Sequence, residues 1–594
     1  MKQTISRRTM SQKRTYSRVL LLVAGLGGLL YGIDVGIIAG ALPYLEATSG
    51  LNAAALSNVV AAVLFGSVLS TLFAGGLADW MGRRNLMMVS GLLFDLSIPI
   101  IALAHGYEPL LLGRLLQGVS AGLIGIAVPL YLAECLPASI RGKGTGIFQW
   151  LLTLGIVVAA VLGIYFSARV QEVMGSGSAA RLFAFKDEAW RAMFWASLPA
   201  GILFVIGCTI VSESPRWLYR RGKRDAALLA LIRSRTPEQA DVEILEMERT
   251  LRAEAEEQRS RGNSASSLLA RKYVVPFLLA CAILACNQAT GINSVIAYNT
   301  TVLLQGGLSD LQAHWAYVLF TAVFFVATVG GVVLVDRIGR RALLSIGTAG
   351  MCFSLLIAGL LFLRTERTRV DCRDAVQALV TGRQAIALKY NPHLAEKLLR
   401  TTTDPPRWAG NRTTALTVVY SCGRFRTVTN AMRSDEAGVK PTLISHAGCT
   451  PADRWAALLW NPLGDFTAAR RAPVKIDHAL ITPLPSRKTG LWIAATLLVF
   501  VVFYGLGPGV CVWLVLSELM PTRIRSHGMS IALVLNQAVA TIIAAEFLPN
   551  AGEHGYAMIF FAFAGFSLLY FLVATLFVPE TKGKTLEEIE TAFH

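Results

Sequence analysis

Charge is scarce in this sequence. Asp, Glu, Lys and Arg make up 16% of the 594 residues, whereas hydrophobic residues make up 54% and the mean hydropathy is +0.53. This composition excludes an ordinary soluble protein, which needs a polar surface over its apolar core. Catalytic motifs are also missing: there is no HExxH, no zinc-ligand spacing, no phosphate-binding loop and no G-x-S-x-G nucleophile elbow. We therefore expect a protein that is not an enzyme and that has no metal site and no cofactor.

Long apolar runs recur along the chain. A helix needs about 20 apolar residues to cross the hydrocarbon core of a bilayer. Twelve such runs occur, at roughly 19–44, 55–78, 86–105, 110–134, 146–168, 191–212, 274–304, 312–335, 342–363, 490–517, 527–548 and 556–577. Because every backbone polar group inside a bilayer must be bonded internally, these runs are expected to be helices. The sequence predicts an all-α membrane protein with twelve transmembrane helices, helices 1–12.

The net charge of +17 is compatible with nucleic-acid binding, but its distribution favours a membrane topology. Basic residues precede helix 1 and follow the even-numbered helices, as Arg83 and Arg84 do after helix 2, and the loops after helices 1, 3, 7 and 11 carry essentially none. Lys and Arg concentrate in cytoplasmic loops. We therefore expect a multi-pass protein of the plasma (inner) membrane, with both termini cytoplasmic and no nucleic-acid partner. The loop after helix 5, with Arg169, Arg181 and Lys186, is an exception.

Charged turns repeat between the two halves of the chain. The turns after helices 2 and 8 share D-x-x-G-R-R, those after helices 4 and 10 share E-x-x-P-x-x-I-R, and E-S-P-R after helix 6 is similar to E-T-K after helix 12. Matching turns at matching places indicate two parallel six-helix repeats. Their charged residues are Asp79, Arg83, Arg84, Glu134, Arg141, Glu213 and Arg216 in the first half, and Asp336, Arg340, Arg341, Glu518, Arg525 and Glu580 in the second.

We predict that these residues form a cytoplasmic latch. Arg–carboxylate pairs would hold one half to the other while the cytoplasmic mouth is closed, and would separate when it opens. The alternative is a set of solvated loop charges, because a surface ion pair contributes only about 0–1 kcal/mol. The repetition of three motifs favours the latch.

The spacing of the repeats locates an insertion. Matching turns are 257 residues apart for the first motif and 384 for the second, so residues have been added after helix 9, on the extracytoplasmic side. The predicted division is 1–212 for the N-terminal bundle, 213–271 for a cytoplasmic helical linker, 272–363 for helices 7–9, 364–489 for an extracytoplasmic insert, 490–577 for helices 10–12 and 578–594 for a cytoplasmic tail. We expect the linker to brace the two halves.

The insert is polar and shows no recognisable chemistry, so we expect a small folded cap with no transport role. Its three cysteines, Cys372, Cys422 and Cys449, allow one disulfide and leave one thiol. Asn411 begins a glycosylation sequon, which matters only in a eukaryotic secretory pathway.

Several motifs resemble one known family. L-L-Y-G-I-D-V-G in helix 1, G-R-L-L-Q-G and P-L-Y-L-A-E-C-L-P-A-S-I-R-G in helix 4, E-S-P-R-W-L at 213–218, Q-A-T-G-I-N at 288–293 and P-E-T-K-G-K-T-L-E-E-I at 579–589 are similar to those of the sugar porters of the major facilitator superfamily. The resemblance covers all twelve helices and leaves out only the insert. It implies the major facilitator fold, in which two pseudo-symmetric six-helix bundles rock around a central site.

The resemblance also implies a sugar pocket. A sugar presents hydroxyls and apolar ring faces, so it needs amide side chains and an aromatic platform. Residues matching the sugar-binding positions of the family are Gln149, Gln288, Asn293, Trp513 and Asn536, and Asn287 and Tyr298 complete the predicted set. The family pattern is departed from at Asn287, Ala297, Phe324 and Gln537, so the choice among hexoses, pentoses and inositols stays open.

Asp34 in helix 1 and Arg114 in helix 4 are charged residues inside apolar runs. Charges inside a membrane are costly and are functional candidates by default. In proton-coupled sugar porters an aspartate at this position, paired with the helix 4 arginine, takes up the proton, whereas uniporters commonly have asparagine.

The resemblance therefore predicts a monomeric, lipid-embedded importer of a hexose or pentose by proton symport, with the proton as coupling ion. A static buried ion pair is the alternative role of Asp34 and Arg114. A facilitative uniporter of a sugar or of a polyol such as inositol is the alternative transporter. A sugar sensor that does not transport is the alternative of another class.

Overall fold

A computed structural model describes residues 2–136, 138–175, 177–260, 271–380, 385–401, 408, 412–520 and 525–582. Within these residues, twelve helices are long and apolar enough to cross a membrane. Helices 1–12 are Thr15–Ser49, Ala53–Met81, Arg83–Ala102, Tyr107–Cys135, Gly146–Met174, Ala179–Ile210, Tyr273–Ala297, Asp310–Ile338, Arg340–Glu366, Arg487–Leu519, Gly528–Glu553 and Tyr556–Leu576. The twelve predicted spans are confirmed. Helical structure extends beyond these limits in helix 1, which begins at Lys2, in helix 5, which begins at Ala138, and in helix 11, which begins at Arg525.

Helices 6, 7 and 10 are interrupted. Their segments are Ala179–Trp195 and Leu198–Ile210 for helix 6, Arg271–Ala289, Ile292–Ala297 and Asn299–Gln305 for helix 7, and Arg487–Leu506 and Pro508–Leu519 for helix 10. In helix 7 the chain turns at Gly291, which has a φ of 80°, and a Cβ at this position would lie 2.3 Å from the Phe563 ring. In helix 10 the break precedes Pro508, which has no backbone N–H to continue the ladder.

The predicted start of helix 6 at residue 191 was wrong. The helix begins at Ala179 and therefore contains Arg181 and Lys186, which the sequence placed in a loop. The apolar-run criterion fails here because a charged residue can lie in a helix when another part of the chain supplies its partner.

The helices form two bundles, helices 1–6 and helices 7–12. In the first, helix 1 packs on helix 5 and helix 2 on helix 4; in the second, helix 9 packs on helices 10 and 12, and helix 7 on helix 11. The bundles meet mainly where helix 2 packs on helix 11 and helix 5 on helix 8, two interfaces that the six-helix repeat relates to each other. Small residues permit close approach: a Cβ on Gly118 would lie 2.0 Å from the Val63 carbonyl oxygen.

The insert between Glu366 and Arg487 contains β-strands, so the all-α prediction holds for the membrane part of the chain. Its strands are β1 Val370–Asp371, β2 Ala385–Leu388, β3 Thr414–Cys422, β4 Phe425–Val428, β5 Met432–Arg433, β6 Thr442–Ser445 and β7 Lys475–Pro483. One antiparallel sheet has the order β1-β7-β3-β4, with β5 also paired to β3, and β2 pairs with β6. Short helices are Arg373–Gln377, Pro392–Arg400, His446–Cys449, Arg454–Trp460 and Phe466–Arg471.

The cysteines of the insert behave as their number suggested. Cys422 and Cys449 form a disulfide, and Cys372 is free and buried. Burial, with the nearby Asp371 charge, raises the pKa of the Cys372 thiol to about 11, so this thiol is protonated at neutral pH and is a poor nucleophile. The Asn411 sequon lies outside the described residues.

We call the face of the molecule that carries the insert the insert side, and the opposite face, which carries the linker, the linker side. The described linker helices are Pro215–Arg220, Arg224–Ile232 and Pro237–Ser260. Arg235 Nη1 donates a hydrogen bond of 2.9 Å to the Cys135 carbonyl at the end of helix 4, which attaches the linker to the N-terminal bundle. Residues 261–270, which lead to helix 7, lie outside the described residues, and the bracing of both halves stays a prediction.

Candidate functional site

Asp34 and Arg114 meet inside the N-terminal bundle. Arg114 Nη1 lies 3.4 Å from Asp34 Oδ1 and donates to Gln117 Oε1 at 2.6 Å. The Asp34 and Arg114 side chains are 1% and 2% exposed, and the guanidinium carbon lies 5.7 Å from the centroid of the Phe194 ring. The structure therefore brings together the two charged residues that the sequence singled out.

The pair is incompletely satisfied. Asp34 Oδ2, Arg114 Nε and Gln117 Nε2 are buried and have no hydrogen-bond partner within the described part of the chain. Gln117 was missed by the sequence analysis, although it follows Arg114 by three residues and so shares its helix face. It gives Arg114 an uncharged second acceptor, so the guanidinium keeps a hydrogen bond if Asp34 is neutralised.

The interruption in helix 7 groups amide side chains. Asn293 Nδ2 donates to Gln288 Oε1 at 2.9 Å. The buried Asn287 lies beside Tyr504 of helix 10, and its Oδ1 has no partner among the described residues. Amides donate and accept at once, so this group can bind hydroxyls of either orientation.

Three predicted pocket residues lie on other helices. Gln149 of helix 5 is half-buried, Trp513 of helix 10 is 44% exposed, and Asn536 of helix 11 is buried with its Oδ1 unpaired in the described part of the chain. Within the same residues, no hydrogen bond joins these side chains to the helix 7 amides. Next to Asn536, Gln537 contacts Tyr31 of helix 1 across the two halves, a contact that the sequence analysis missed.

Tyr298 closes the insert side in this structure. Its hydroxyl donates to the Ala544 carbonyl at 2.8 Å and lies 3.2 Å from Ser57 Oγ, and its ring stacks on Phe547 with centroids 4.4 Å apart. These contacts join helices 2, 7 and 11, and the side chain is fully buried. Tyr298 therefore differs from the other predicted pocket residues, because its hydroxyl bonds to helices 2 and 11 at the interface between the halves.

A buried polar cluster also joins the halves towards the insert side. Asp310, at the start of helix 8, accepts hydrogen bonds from Tyr44 Oη at 2.7 Å and Ser167 Oγ at 2.5 Å. One turn later, His314 lies 3.4 Å from Asp310 Oδ1, and its Nε2 lies 3.3 Å from the Gly40 carbonyl oxygen. The sequence analysis missed this cluster; its signal was an acid and a histidine four residues apart at the start of an apolar run.

At the linker side, the charged turn of the N-terminal half joins the ends of three helices. Glu213 Oε1 accepts from the backbone N–H groups of Arg83 at 2.9 Å and Arg84 at 3.0 Å, which cap the N-terminus of helix 3. Arg83 Nε lies 3.0 Å from Glu134 Oε2. The turn residue Gly82 has a φ of 96°, and a Cβ there would lie 2.3 Å from Glu213 Oε2, so only glycine leaves room for the carboxylate.

The C-terminal half repeats this geometry. Glu580 accepts from the backbone N–H groups of Arg340 at 3.0 Å and Arg341 at 3.2 Å. Arg340 Nη2 lies 3.4 Å from Glu518 Oε1. Gly339 has a φ of 101°, and a Cβ there would lie 2.6 Å from Glu580 Oε2.

In this structure, which is closed on the insert side, every latch pair in the described residues joins helix ends of one bundle. The pairs between the bundles that the sequence analysis expected for a closed cytoplasmic mouth stay a prediction. Asp79 and Asp336 pair with the arginines of their own turns at 2.9 and 3.4 Å. Arg216 is exposed and has no partner in the described part of the chain. The side chains of Arg141 and Arg525 lie outside the described residues. These pairs stay within one bundle because helices 2, 4 and 6 end close together on it, so their turns are within reach of one another.

Twelve spans arranged as two repeated six-helix bundles define a membrane protein of the major facilitator fold. The fold is similar to that of the xylose transporter XylE from E. coli in a partially occluded inward-open structure. The similarity covers 96% of this chain and 100% of the XylE chain, with a TM-score of 0.64 and 20% sequence identity. Residues 20–381 and 479–593 match the family model described as sugar (and other) transporter, and the residues between these two stretches, 382–478, fall in the insert. The chain belongs to this sugar transporter family, so it is a multi-pass integral membrane protein and a transporter rather than an enzyme.

Curated relatives align along nearly the whole chain. A human protein described as a proton myo-inositol cotransporter is 27% identical over 99% of this chain and 84% of its own length. An Arabidopsis thaliana protein described as probable inositol transporter 3 is 28% identical over 98% of this chain and 93% of its own length. The major myo-inositol transporter IolT of Bacillus subtilis is 25% identical over 98% of this chain and 94% of its own length.

Proposed function

We propose that this protein imports a monosaccharide or an inositol by proton symport through alternating access. The observation that carries the proposal is the buried ion pair of Asp34 and Arg114. Proton uptake by Asp34 competes with its pairing to Arg114, and Gln117 is in place to accept from the guanidinium in the protonated state. Binding of a proton can thus change the contacts between helices 1 and 4.

The substrate class rests on the amides and on the relatives. Gln288, Asn293 and Asn287 offer donors and acceptors for a ring of hydroxyls. Hexose or pentose was the expectation from sequence. The names of the human, plant and bacterial relatives add inositol as a candidate, beside glucose transporters of similar identity. All are polyhydroxylated compounds that form or resemble a six-membered ring, so one site geometry serves each of them.

The direction of transport rests on topology. The contacts of Tyr298 and Asp310 hold the two halves together towards the insert side, and the basic turns lie on the linker side. We assign the linker side to the cytoplasm because Lys and Arg concentrate in cytoplasmic loops. Import then means binding from the insert side and release at the linker side.

Uptake into proteoliposomes tests the proposal. Labelled glucose, xylose and myo-inositol are offered with and without an inward-directed proton gradient. A gradient of about one pH unit, equivalent to about 1.4 kcal/mol, can drive up to about tenfold accumulation if one proton moves with each substrate. Flux without accumulation would assign a facilitative uniporter instead, and binding without flux would assign a sensor.

Asp34→Asn separates coupling from transport. We expect this variant to reduce accumulation to the equilibrium ratio of about 1 while exchange of labelled for unlabelled substrate continues, because the neutral amide cannot take up the proton. Asp95→Asn is the control, since Asp95 is a partly buried carboxylate of helix 3 in the same bundle. Accumulation that persists in Asp34→Asn would show that Asp34 is not the coupling site.

A further inference from the structure

The insert is anchored to the C-terminal half, from which it extends. Arg433 Nη1 donates to the Leu304 carbonyl at the end of helix 7 at 2.8 Å. Arg426 Nη1 lies 2.5 Å from Glu553 Oε1 at the end of helix 11. The insert and the C-terminal bundle therefore form one body on the insert side.

One segment of the insert, residues 427–440, also contacts the N-terminal half. The backbone N–H of Lys440 donates to the Ala47 carbonyl at 2.9 Å. Asn430 Nδ2 donates to the Leu51 carbonyl at 2.7 Å. Both acceptors lie at the end of helix 1 or in the turn after it, so this segment crosses the boundary between the two halves.

Lys186 of helix 6 gives this contact a charge pair in which the lysine is buried and Glu436 is 34% exposed. Its Nζ lies 3.1 Å from Glu436 Oε1 and donates to the Ala437 carbonyl at 2.9 Å, and its side chain is 7% exposed. Lys186 is one of the basic residues that broke the topology pattern of the sequence, and the insert supplies its counter-charge. Removal of Glu436 leaves the buried Lys186 ammonium without its counter-charge, which is costly. Removal of Lys186 costs less, because the remaining carboxylate is partly hydrated.

The facing backbones are fitted to each other. Gly438 of the insert has a φ of 65°, and a Cβ there would lie 2.9 Å from the Leu182 side chain of helix 6. Gly50, after helix 1, has a φ of 74°, and a Cβ there would lie 3.0 Å from the Lys440 side chain. Each half thus presents a left-handed glycine where the other half approaches closely.

From these contacts we propose that segment 427–440 is a clasp that holds the insert side closed, with Lys186 and Glu436 as its main lock. The proposal rests on the alternating access of the proposed function, because opening on the insert side separates the halves there. The insert stays with the C-terminal half, so its bonds to Ala47, Leu51 and Lys186 must break for that opening. The insert is then part of the transport cycle, rather than the cap without a transport role that its sequence suggested.

A distance measurement on the full-length protein tests the clasp. Spin labels are attached at Ala180→Cys on helix 6 and His554→Cys between helices 11 and 12, two exposed positions on opposite halves. Distance distributions are compared for Lys186→Gln, Glu436→Gln and the exchanged pair Lys186→Glu with Glu436→Lys. Glu396→Gln is the control, because it breaks an exposed ion pair with Arg400 inside the insert.

We expect Glu436→Gln to raise the ratio of the insert-open to the insert-closed state by about tenfold or more, seen as a longer distance between the labels. Lys186→Gln should raise this ratio by a smaller factor, because the Glu436 carboxylate that it leaves is 34% exposed. The exchanged pair restores the wild-type distribution and the control leaves it unchanged. The KM for substrate offered from the insert side falls in the single variants, because a larger fraction of the protein is competent to bind from there.

An unchanged distance distribution in both single variants would overturn the clasp. A shift that the exchanged pair fails to reverse would overturn Lys186 and Glu436 as its lock. The distance measurement needs neither substrate nor proton gradient, so it is independent of the uptake assay. Failure of uptake refutes the proposed function, whereas normal uptake with an unchanged distance distribution refutes only the clasp.

Discussion

The charged turns of the two halves have the same plan but different burial. In the N-terminal half the side chains of Arg83 and Glu134 are 4% and 11% exposed and 3.0 Å apart. In the C-terminal half Arg340 and Glu518 are 14% and 21% exposed and 3.4 Å apart. The N-terminal pair is therefore shorter and better shielded from solvent, and screening weakens it less.

The linker explains part of this difference. Trp217 Nε1 and Arg221 Nη2 each donate to the Asp79 carbonyl, at 2.8 and 2.9 Å, and cover the N-terminal turn. At the C-terminal turn, Lys582 Nζ donates to the Arg337 carbonyl at 2.7 Å. Each turn fastens the helices of its own bundle. Apart from the contact of Gln537 with Tyr31, the hydrogen bonds that we find between the halves, in the described part of the chain, lie towards the insert side.

Removal of the arginine should produce the largest difference between the halves. We expect Arg83→Met to lower the free energy of unfolding by about 3–5 kcal/mol, since it leaves the shielded Glu134 carboxylate without its counter-charge and with only the hydrogen bond from Ser214. Arg340→Met should lower it by roughly 1–2 kcal/mol, because water reaches Glu518 more easily. Thermal denaturation of the purified variants in detergent tests this difference, since the apparent midpoint should fall further in Arg83→Met than in Arg340→Met.

Arg216→Met is the control for both arginine variants, because Arg216 is exposed in the same region and has no partner in the described residues. Its midpoint should match that of the wild type. Equal losses for Arg83→Met and Arg340→Met would contradict the importance of burial for the two turns.

Substitution of the turn glycines should cost similar stability in the two halves. We expect Gly82→Ala and Gly339→Ala each to cost about 1–3 kcal/mol, because both backbones are in a region that only glycine occupies readily and both Cβ atoms meet a glutamate. Gly75→Ala is the control, since a Cβ at Gly75 meets nothing within 4 Å, and its midpoint should not fall.

A double-mutant cycle sharpens this prediction. The stability losses of Gly82→Ala and Glu213→Ala should be less than additive in the double variant, because the added methyl group clashes with the carboxylate that the second change removes. The matching cycle is Gly339→Ala with Glu580→Ala. Full additivity of the midpoint shifts in both cycles would show that the glycines act through the backbone alone.

The outer aspartates should give the smallest effect. Asp79 and Asp336 are 68% and 79% exposed where they pair with the arginines of their turns. We expect Asp79→Asn and Asp336→Asn to change stability by only about 0–1 kcal/mol in either half. A large loss in the same thermal assay for either variant would mean that the aspartate, and not the glutamate, is the principal partner of the arginine.

Sequence reasoning was strongest where the signal is local. The length of each apolar run identified the twelve spans, and the spacing of the repeated turns located the insert. It failed at helix 6, because Lys186 interrupts the apolar pattern and its partner Glu436 lies 250 residues away. It missed Asp310 and His314 for the same reason, since their partners Tyr44, Ser167 and Gly40 come from the other half of the chain.

Within the site, the sequence singled out Asp34 and Arg114 because a charge in an apolar run has few explanations. It could not tell that Gln117 joins them or that the Tyr298 hydroxyl is bound to Ala544. Those facts depend on how the helices rotate and pack, and side chains on one helix face can serve a pocket or an interface equally well.

By itself the sequence determined the number of spans, the internal repeat, the position of the insert and which residue types face each other in each charged turn. These features follow from the length of a membrane-spanning helix, from the spacing of the repeated turns and from the chemistry of glycine and of ion pairs. Only the tertiary structure decided that the turns fasten single bundles, that the insert is a sheet, and that this sheet contacts both halves. Such contacts join residues hundreds of positions apart, and no local pattern specifies which two surfaces will meet.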